Sequence, residues 1–308
     1  MENILEVKNL TKKFGNFIAV NDISFNLKEG EILGFLGVNG AGKTTTMQML
    51  LGILTPTKGD ISYFGKNLFS HKSEIMEQVN FSTTYTQLPW NLTVKENLTF
   101  ISYLYNIPER KKRIEKIMHV FDLVEMANKQ VATLSAGQKT KVNLAKAFIN
   151  FPKVLLLDEP TASLDVETAS EMRNMLLKER TEFNTSMLFT SHNMAEVEDI
   201  CDRVIFIHDG KVIANDTPEN LAKSIQISHV MLVLEKGEKK LLEYCNERNI
   251  PISIKKHASL IDIPEQQIAN FLQNIGNQGI TYREIAIEKP TLEDYFMQVV
   301  EKEEHEIT

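Results

Sequence analysis

Residues 31–54 read EILGFLGVNGAGKTTTMQMLLGIL, and this stretch decides the fold because a glycine-rich loop joins an apolar run to a helical pattern. The largely apolar run at residues 32–36 predicts a buried strand. After the loop at residues 37–43, apolar side chains return at helical spacing, at Met47, Leu50, Leu51 and Leu54. The stretch therefore predicts a strand, a loop and a helix in direct succession.

The loop has the residue types that a phosphate-binding loop needs. Gly37, Gly40 and Gly42 permit backbone conformations that side chains would block, so successive N–H groups can converge on phosphate oxygens at the positive end of the helix dipole. Lys43 adds a cation for the β- and γ-phosphates, and Thr44 adds a hydroxyl ligand for Mg²⁺. The sequence therefore predicts a nucleotide-binding site here.

The composition is that of an ordinary globular protein. The chain has 308 residues, 43% of them hydrophobic, and this length favours two domains because single cores stop growing at roughly 250 to 300 residues. No apolar stretch approaches the roughly 20 residues that span a bilayer, and the first residues do not resemble a signal peptide, so we expect a cytoplasmic chain. The net charge of -7 argues against nucleic acid as a partner. The two cysteines, Cys201 and Cys245, have neither metal-type nor C-x-x-C spacing.

Residues 4–27 alternate apolar and polar side chains, which predicts antiparallel strands ahead of the phosphate loop. Phe14 lies in this region. Its ring either packs within the sheet, as strand aromatics usually do, or stacks on the adenine ring of a nucleotide.

A second helix start with anion-binding character lies at residues 134–150. Ser135 is a suitable N-cap for a helix that carries Val142, Ala145 and Phe148 on one face. The turn before this helix would place backbone N–H groups and a hydroxyl at its positive end. Most Ser-capped helices bind nothing, so this feature is weak evidence when it stands alone.

Two carboxylates follow an entirely apolar run. Residues 154–157 predict a parallel strand buried on both faces, and Asp158 and Glu159 come directly after it. Carboxylates at this place are costly unless they have a function. Asp158 suits Mg²⁺ coordination through water, and Glu159 suits activation of the attacking water. The alternative is a strand that ends harmlessly in solvent.

The remaining core segments alternate strands with a helix. Residues 162–165 predict a turn and residues 166–180 a helix. The strand at residues 187–190 ends at His192, on the edge where open α/β sheets bind ligands, although a lone histidine after a strand is usually structural. Residues 203–214 predict a β-hairpin.

With these pieces in order, residues 2–222 resemble the ATP-binding subunit of an ABC transporter. Five motifs agree with that family in type, order and spacing: GVNGAGKTT resembles Walker A, LSAGQ the family signature, VLLLDEP Walker B, ASLD the D-loop and His192 the switch histidine. The resemblance implies an α/β fold, with a RecA-like P-loop core, an antiparallel β subdomain and a helical subdomain near residues 88–150.

The resemblance also implies a role for each matching residue. Phe14 would stack on adenine, Glu159 would be the catalytic base and His192 the γ-phosphate sensor. Lys43 would act on the phosphates during catalysis. Further contacts to ATP would come from Gly37, Asn39, Gly40, Ala41, Gly42, Lys43, Thr44, Thr45, Gln138 and Asp165.

In this family the signature of one subunit contacts the nucleotide on the opposite subunit, which implies such a role for Ser135 and Gly137. The chain departs from the usual motifs at two positions. Val38 replaces a proline and Ala136 replaces a glycine. Both changes are small and lie in loops that work through backbone N–H groups.

The family also uses a glutamine of the Q-loop as a ligand of Mg²⁺, beside Thr44 and Asp158. Counting back from residues 92–94, the usual glutamine position falls on Thr84, and the nearest glutamine is Gln87. We favour Gln87 because a carboxamide oxygen can extend to the hard cation, whereas Thr84 would need a bridging water. The remaining alternative is that neither residue contacts the metal.

Leu88, Pro89 and Trp90 follow the Q-loop and include the only tryptophan of the chain. An apolar trio on a surface loop suggests a docking site for the coupling helix of a membrane subunit. The alternative is packing inside the helical subdomain.

Residues 223–308 lie outside the resemblance, and their order of predicted elements suggests a small accessory α+β domain. Their patterns predict strands or extended segments at residues 229–234, 252–263 and 280–287, with helices at 239–248, 266–275 and from 291 onward. The tail KPTLEDYFMQVVEK is similar to the C-terminal extension of ATPases that serve exporters with a separate membrane subunit.

The resemblance implies an ATPase subunit of an ABC exporter that uses ATP and Mg²⁺. It would form a head-to-tail homodimer, or a heterodimer with a second ATPase subunit. It would lie on the inner face of the cell membrane, through a transmembrane permease subunit encoded separately. The alternatives are a soluble ABC ATPase that remodels a macromolecular complex, or an importer subunit with a regulatory tail.

Overall fold

The structure, a computed structural model, describes residues 2–83, 88–162, 164–255 and 258–306. It divides into two compact units, Met1–Thr217 and Pro218–Thr308. The boundary predicted after residue 222 lies inside the helix Pro218–Ser224, which belongs to the second unit. Among the described helices, none is long and apolar enough to cross a lipid bilayer.

The first unit mixes strands and helices along the whole of its length. Its strands are β1 (Asn3–Phe14), β2 (Phe17–Lys28), β3 (Ile32–Leu36), β4 (Lys58–Tyr63), β5 (Lys66–Asn67), β6 (Val79–Thr83), β7 (Val154–Asp158), β8 (Ser186–Thr190), β9 (Arg203–His208) and β10 (Lys211–Asp216). Its α-helices are α1 (Lys43–Leu50), α2 (Lys72–Met76), α3 (Val94–Ser102), α4 (Arg110–Val120), α5 (Ala136–Ala147), α6 (Val166–Phe183) and α7 (Met194–Ile200).

A six-stranded sheet in the order β10-β9-β3-β8-β7-β6 forms the centre of this unit. The five strands from β9 to β6 are parallel, and β10 pairs antiparallel with β9 as the predicted hairpin. Because the strands are parallel, the carboxyl ends of β3, β7 and β8 meet at one edge of the sheet. The α/β fold class predicted from the sequence is confirmed.

Burial on both faces explains why the sequences of the central strands consist mainly of apolar residues. All five residues of β3 and of β8 are buried, and so are the first four residues of β7. Strands covered on both faces cannot alternate apolar and polar side chains. Their side chains form one core with residues of β1, β2 and α1.

A second sheet, in the order β2-β1-β4-β5, is antiparallel throughout. It confirms the strands predicted for residues 4–27. The hairpin of β1 and β2 turns at Gly15 and Asn16, so that Phe14 and Phe17 are register partners on either side of the turn.

The predicted helices of residues 88–150 are α3, α4 and α5. Thr93 and Glu96 form a capping box at the start of α3. Ser135 and Gln138 form a second capping box at the start of α5, which confirms Ser135 as an N-cap.

The second unit is a small α+β domain, as predicted. It contains α8 (Pro218–Ser224), β11 (Ile227–Lys236), α9 (Glu238–Glu247), β12 (Ile252–Lys255), β13 (Ala258–Pro264), α10 (Ile268–Asn277), β14 (Thr281–Glu288) and α11 (Leu292–Glu306). Its antiparallel sheet has the order β12-β13-β11-β14. A separate apolar core joins β11 and β13 to α9 and α10.

Candidate nucleotide site

The phosphate loop runs from the end of β3 to the start of α1. A Cβ atom at Gly37 would lie 2.2 Å from the carbonyl oxygen of Ile207, so this position accepts no side chain. Gly42 caps α1 with a φ of 104°, and a Cβ there would lie 2.5 Å from the carbonyl oxygen of Ala19. The two glycines therefore bring the chain to the helix start in a conformation that leaves the first N–H groups of α1 free for an anion.

Lys43 folds back over this loop. Its Nζ donates to the carbonyl oxygens of Gly37 at 2.6 Å and of Val38 at 3.1 Å. Burial lowers the pKa of this ammonium, while the charges of Glu159 and Asp158 oppose that shift. The backbone oxygens thus hold the cation beside the place where phosphate oxygens would lie.

A cavity of about 400 Å³ opens over the loop. Its lining combines the loop, the first turn of α1, the carboxylates after β7 and the β1–β2 hairpin: Phe17, Ala19, Asn39, Gly40, Gly42, Lys43, Thr44, Thr45, Asp158 and Glu159. The structure therefore brings together most of the nucleotide contacts predicted for the phosphate loop.

The aromatic side of the cavity differs from the prediction. Among the described residues, Phe17 lines the cavity and Phe14 does not. Phe17 is 64% exposed, so its ring is accessible to a ligand in the cavity. Sequence reasoning missed Phe17, although its position directly after the turn from Phe14 could have indicated it.

Thr190, the last residue of β8, organises the two carboxylates. Its Oγ1 donates to Asp158 Oδ1 at 2.7 Å, and the same oxygen accepts from Glu159 N at 3.0 Å. Glu159 also has a φ of 50°, which turns its side chain away from the strand direction. No local sequence pattern indicates Thr190, because its contacts join residues that are far apart in the chain.

His192 lies beside the predicted base. Its Nδ1 is 3.3 Å from Glu159 Oε2, while most of the ring is exposed. The parallel strands β7 and β8 place these two side chains at the same edge of the sheet, as the sequence predicted.

The signature residues lie elsewhere on the surface. Ser135 Oγ accepts from Gln138 N at 3.3 Å, and Ser135 N donates to Gln138 Oε1 at 3.1 Å. A Cβ at Gly137 would lie 2.9 Å from Thr168 Cγ2, so this glycine lets α5 approach α6. Among the described residues, none of these signature residues lines the phosphate cavity of its own chain.

Asp165 caps helix α6. Its side chain accepts from Thr168 N at 2.9 Å and from Thr168 Oγ1 at 2.8 Å. The hydrogen bond from the Thr168 backbone is the main reason why the pKa of Asp165 is lowered. The preceding D-loop residue Ser163 lies outside the described residues.

The oxygen groups of the cavity fit Mg²⁺. Thr44 and Asp158 line the same space and offer a hydroxyl and a carboxylate, which are the hard ligands that this ion takes. Within the part of the chain that the structure describes, no group of three or more His, Cys, Asp or Glu side chains is placed to hold a metal.

Thr84 and Gln87, the two predicted Q-loop ligands, lie outside the described residues, so their role stays a prediction. Leu88 and Trp90, the first and last residues of the apolar trio that follows, differ in exposure. Leu88 is buried, whereas Trp90 is 71% exposed. Packing therefore accounts for the first residue of the trio and leaves the tryptophan at the surface.

The family model described as "ABC transporter" matches residues 20–162, from β2 to the turn after β7. The bacitracin transport ATP-binding protein BcrA of Bacillus licheniformis is 32% identical over 314 residues, which cover 97% of this chain and 98% of that protein. The chain belongs to the ABC transporter family. As a member it is an ATP-binding subunit and an ATPase.

Two further comparisons place this ABC ATPase among its relatives. The Nod factor export ATP-binding protein I of Burkholderia orbicola is 35% identical over 226 residues, covering 71% of this chain and 73% of that protein. The solved structure of cbiO1 from Clostridium perfringens, part of the transporter complex cbiONQ, superposes with a TM-score of 0.67 at 28% identity and covers 80% of this chain and 96% of that one. The BcrA match includes the second unit as well.

Proposed function

We propose that this ABC ATPase binds and hydrolyses Mg-ATP at two composite sites of a head-to-tail dimer and thereby drives a separate membrane subunit that exports its substrate. The observation that carries the dimer is the separation of the two anion-binding motifs. Among the described residues that line the cavity with Lys43 and Glu159, none belongs to the signature, and Ser135 is exposed at the start of α5. A second copy would supply Ser135 and Gly137 to complete each site.

The protein contributes to catalysis mainly by positioning the reactants and stabilising charge, because phosphoryl transfer has a loose transition state. The N–H groups at the start of α1 and the ammonium of Lys43 bind the phosphates. Glu159 takes a proton from the attacking water, and His192, whose Nδ1 lies 3.3 Å from Glu159 Oε2, would contact the γ-phosphate.

Thr44 and Asp158 would hold Mg²⁺, with Gln87 as a further proposed ligand. The ion would neutralise charge that develops on the phosphate oxygens. Phe17, which lines the cavity, and Phe14, its register partner across the hairpin turn, are the two aromatic rings proposed to contact the base.

The experiment that tests this function is the substitution Glu159→Gln. It removes a general base worth about 10² to 10⁴ in rate and leaves the phosphate loop intact, so turnover falls by that factor while ATP binding persists. Because ATP then stays bound, the variant should accumulate as a dimer, which size-exclusion chromatography with light scattering detects.

A matched control is the double variant Glu159→Gln with Ser135→Arg. The arginine places a bulky group at the exposed start of α5, so the chain still binds ATP but stays monomeric. Near-normal hydrolysis by Glu159→Gln would contradict the role of the base. ATP-dependent dimers of the double variant would contradict the composite site.

Export is proposed because the relatives in the comparisons are named for bacitracin transport and Nod factor export. These names favour a transporter over an ATPase that remodels a soluble complex. Co-purification of the chain from membranes, followed by identification of its partner, tests the assignment. Recovery with a periplasmic-type binding protein would favour import instead.

We propose that Trp90 is the part of the chain that meets the membrane subunit. The carbonyl oxygen of Trp90 accepts from Ala132 N at 3.0 Å, and that of Leu92 accepts from Val131 N at 3.0 Å. These bonds tie the exposed loop to the short segment that immediately precedes Ser135. A displacement of Trp90 by the membrane subunit would thus be transmitted to the signature residues through these backbone hydrogen bonds.

Trp90→Ala should weaken association with the membrane subunit about 30-fold or more, because an exposed aromatic anchor is a typical hot spot worth about 2 kcal/mol or more. Its ATPase activity as an isolated chain should remain unchanged. Phe69→Ala, which removes another exposed aromatic ring, is the control. Equal recovery of the membrane partner with both variants would exclude the docking role.

A further inference from the structure

Glu196, in the first turn of α7, is a buried carboxylate to which neither the sequence motifs nor the nucleotide cavity gives a role. It is only 5% exposed. A buried carboxylate is costly unless hydrogen bonds and an opposite charge compensate it. The contacts of Glu196 therefore show which parts of the molecule it connects.

Three donors converge on this carboxylate. Thr161 Oγ1 donates to Oε2 at 2.7 Å, and Ser191 Oγ donates to the same oxygen at 3.0 Å. Arg173 donates to Oε1 at 3.1 Å. Thr161 and Ser191 are themselves buried, and Glu196 accepts the hydroxyl proton of each, while Ser191 Oγ also accepts from Asn193 N at 3.0 Å.

Each donor belongs to a segment that carries a residue of the hydrolytic site. Thr161 lies two positions after Glu159, and Ser191 immediately precedes His192. Arg173 lies on α6, the helix that Asp165 caps. Glu196 thus joins the end of β7, the end of β8 and helix α6 at a single buried point.

We propose that Glu196 is a positioning residue for ATP hydrolysis, which fixes the distance between Glu159 and His192 through Thr161 and Ser191. The inference rests on the proposed roles of Glu159 and His192. Glu196 does not line the phosphate cavity among the described residues, so it acts through these neighbours and not on the substrate. The prediction is a loss of turnover without a loss of ATP affinity.

The first test compares Glu196→Ala with Glu196→Gln in the full chain. Misplacing a catalytic group by about 1 Å can cost 10²-fold, so the alanine variant should lower kcat by about 10- to 100-fold. The glutamine keeps one oxygen for Thr161 and Ser191 but presents an amide donor to Arg173, so it should restore part of the loss. The Kd for ATP should change less than about two-fold, because uniform binding is untouched.

Two single-hydroxyl variants keep the proposal testable if Glu196→Ala does not fold. Thr161→Val and Ser191→Ala each remove one donor and leave the carboxylate with Arg173. Each should lower kcat and spare the Kd for ATP. Glu198→Gln, an exposed carboxylate on the same helix, is the matched control and should retain wild-type kcat.

A double-mutant cycle separates positioning from a general effect on stability. In the Glu159→Gln background, Glu196→Ala should have little further effect on the residual rate, because the base that it positions is already absent. If the rate of the double variant falls by the product of the two single-variant losses, the proposal is overturned. A kcat within two-fold of wild type for folded Glu196→Ala, or a parallel loss of kcat and ATP affinity, would also overturn it.

The cycle also distinguishes this inference from the proposed function. If Glu159→Gln and His192→Ala both retain full turnover, the proposed roles of the site fail. If those two variants lose turnover while Glu196→Ala keeps it, the site stands and only the positioning role is wrong.

Discussion

Phe14 and Phe17 are the two aromatic side chains that flank the turn between β1 and β2. They are register partners, so their rings leave the same face of the hairpin. The ammonium of Lys12 lies 5.1 Å from the ring of Phe14, whereas Phe17 lines the nucleotide cavity. The structure thus offers two candidates for contact with the base of ATP.

We predict that Phe17→Ala weakens ATP binding, because it removes apolar area that a bound base would cover. Stacking of a base on an aromatic ring is worth about 1 to 3 kcal/mol, which corresponds to roughly a 5- to 150-fold rise in Kd. Equilibrium titration with ATP measures this change. Phe14→Ala is the variant for comparison. The variants Phe14→Leu and Phe17→Leu keep apolar area but lack an aromatic ring, so they separate stacking from apolar contact.

Titration with inorganic triphosphate supplies the control, because it lacks a base and should bind both alanine variants like wild type. An effect of Phe14→Ala alone would assign the base contact to Phe14, as the sequence resemblance implies. Equal affinity of all variants for ATP would show that neither ring contacts the base.

At the residue scale, the sequence predicted the groups that lie within compact motifs. The phosphate loop and the pair Asp158 and Glu159 each occupy consecutive positions, so their spacing alone identified them. Thr190 and Glu196 contact partners about thirty positions away in the chain, which only the pairing of β7 with β8 and the packing of α7 bring together. No local pattern could have revealed them.

His229 connects its own strand to two other elements of the second unit. It lies on β11, and its Nδ1 is 2.7 Å from Asp262 of β13, while its Nε2 is 3.3 Å from Asp294 in the first turn of α11. Glu288 is its register partner on β14. Burial lowers the pKa of His229, but the hydrogen bond to Asp262 and the charge of Asp294 outweigh it, so the net pKa is raised above 6.5.

A raised pKa means that protonation of His229 stabilises the folded state. The contribution is complete below the ordinary value of 6.5 and is lost as the pH rises through the folded pKa. We therefore predict that α11 is held more firmly at pH 6 than at alkaline pH. The effect should stay below about 1 kcal/mol, because the pairs are partly exposed and screened by solvent.

Hydrogen exchange of the α11 amides in wild type and in His229→Gln at the same pH measures this effect, since intrinsic exchange rates cancel. At low pH the wild type should be better protected, and the difference should shrink as the pH rises. A difference that is independent of pH would contradict the ionic contact. Asp22→Asn, in the first unit, should leave this difference unaltered.

At the element scale, long periodic segments were predicted and short or polar ones were missed. β6 (Val79–Thr83) carries buried Asn80 and Ser82, and Asn80 is satisfied by Asn150 at 2.9 Å, so the strand does not read as apolar. α8 has one buried side chain, Leu221, in seven residues. A helix that short cannot show a helical repeat.

At the scale of the whole molecule, the division after Thr217 defines where the chain can be shortened. Truncation after Thr217 should leave a folded core with an ATP affinity within about two-fold of the full chain, because a compact unit with its own core can fold alone. The nucleotide residues described above all precede this point. Thermal unfolding with and without ATP measures both properties.

Truncation after Lys223 is the informative comparison. It keeps most of α8 but removes α11, which packs against α8 in the intact second unit. The buried side chain of Leu221 would then be exposed, and we expect lower solubility than after truncation at Thr217. Loss of ATP binding after truncation at Thr217 would show that the core depends on the second unit.

Trp90 is the single tryptophan of the chain, and its side chain is 71% exposed to solvent shortly before the start of α3. All indole fluorescence of the protein therefore comes from one known place. An indole in water emits at longer wavelengths than one covered by apolar side chains, so docking of a membrane subunit on this loop would shift the emission to the blue. The single tryptophan is thus a natural optical reporter for the docking proposed at Trp90, and its emission can be followed in time while ATP is consumed.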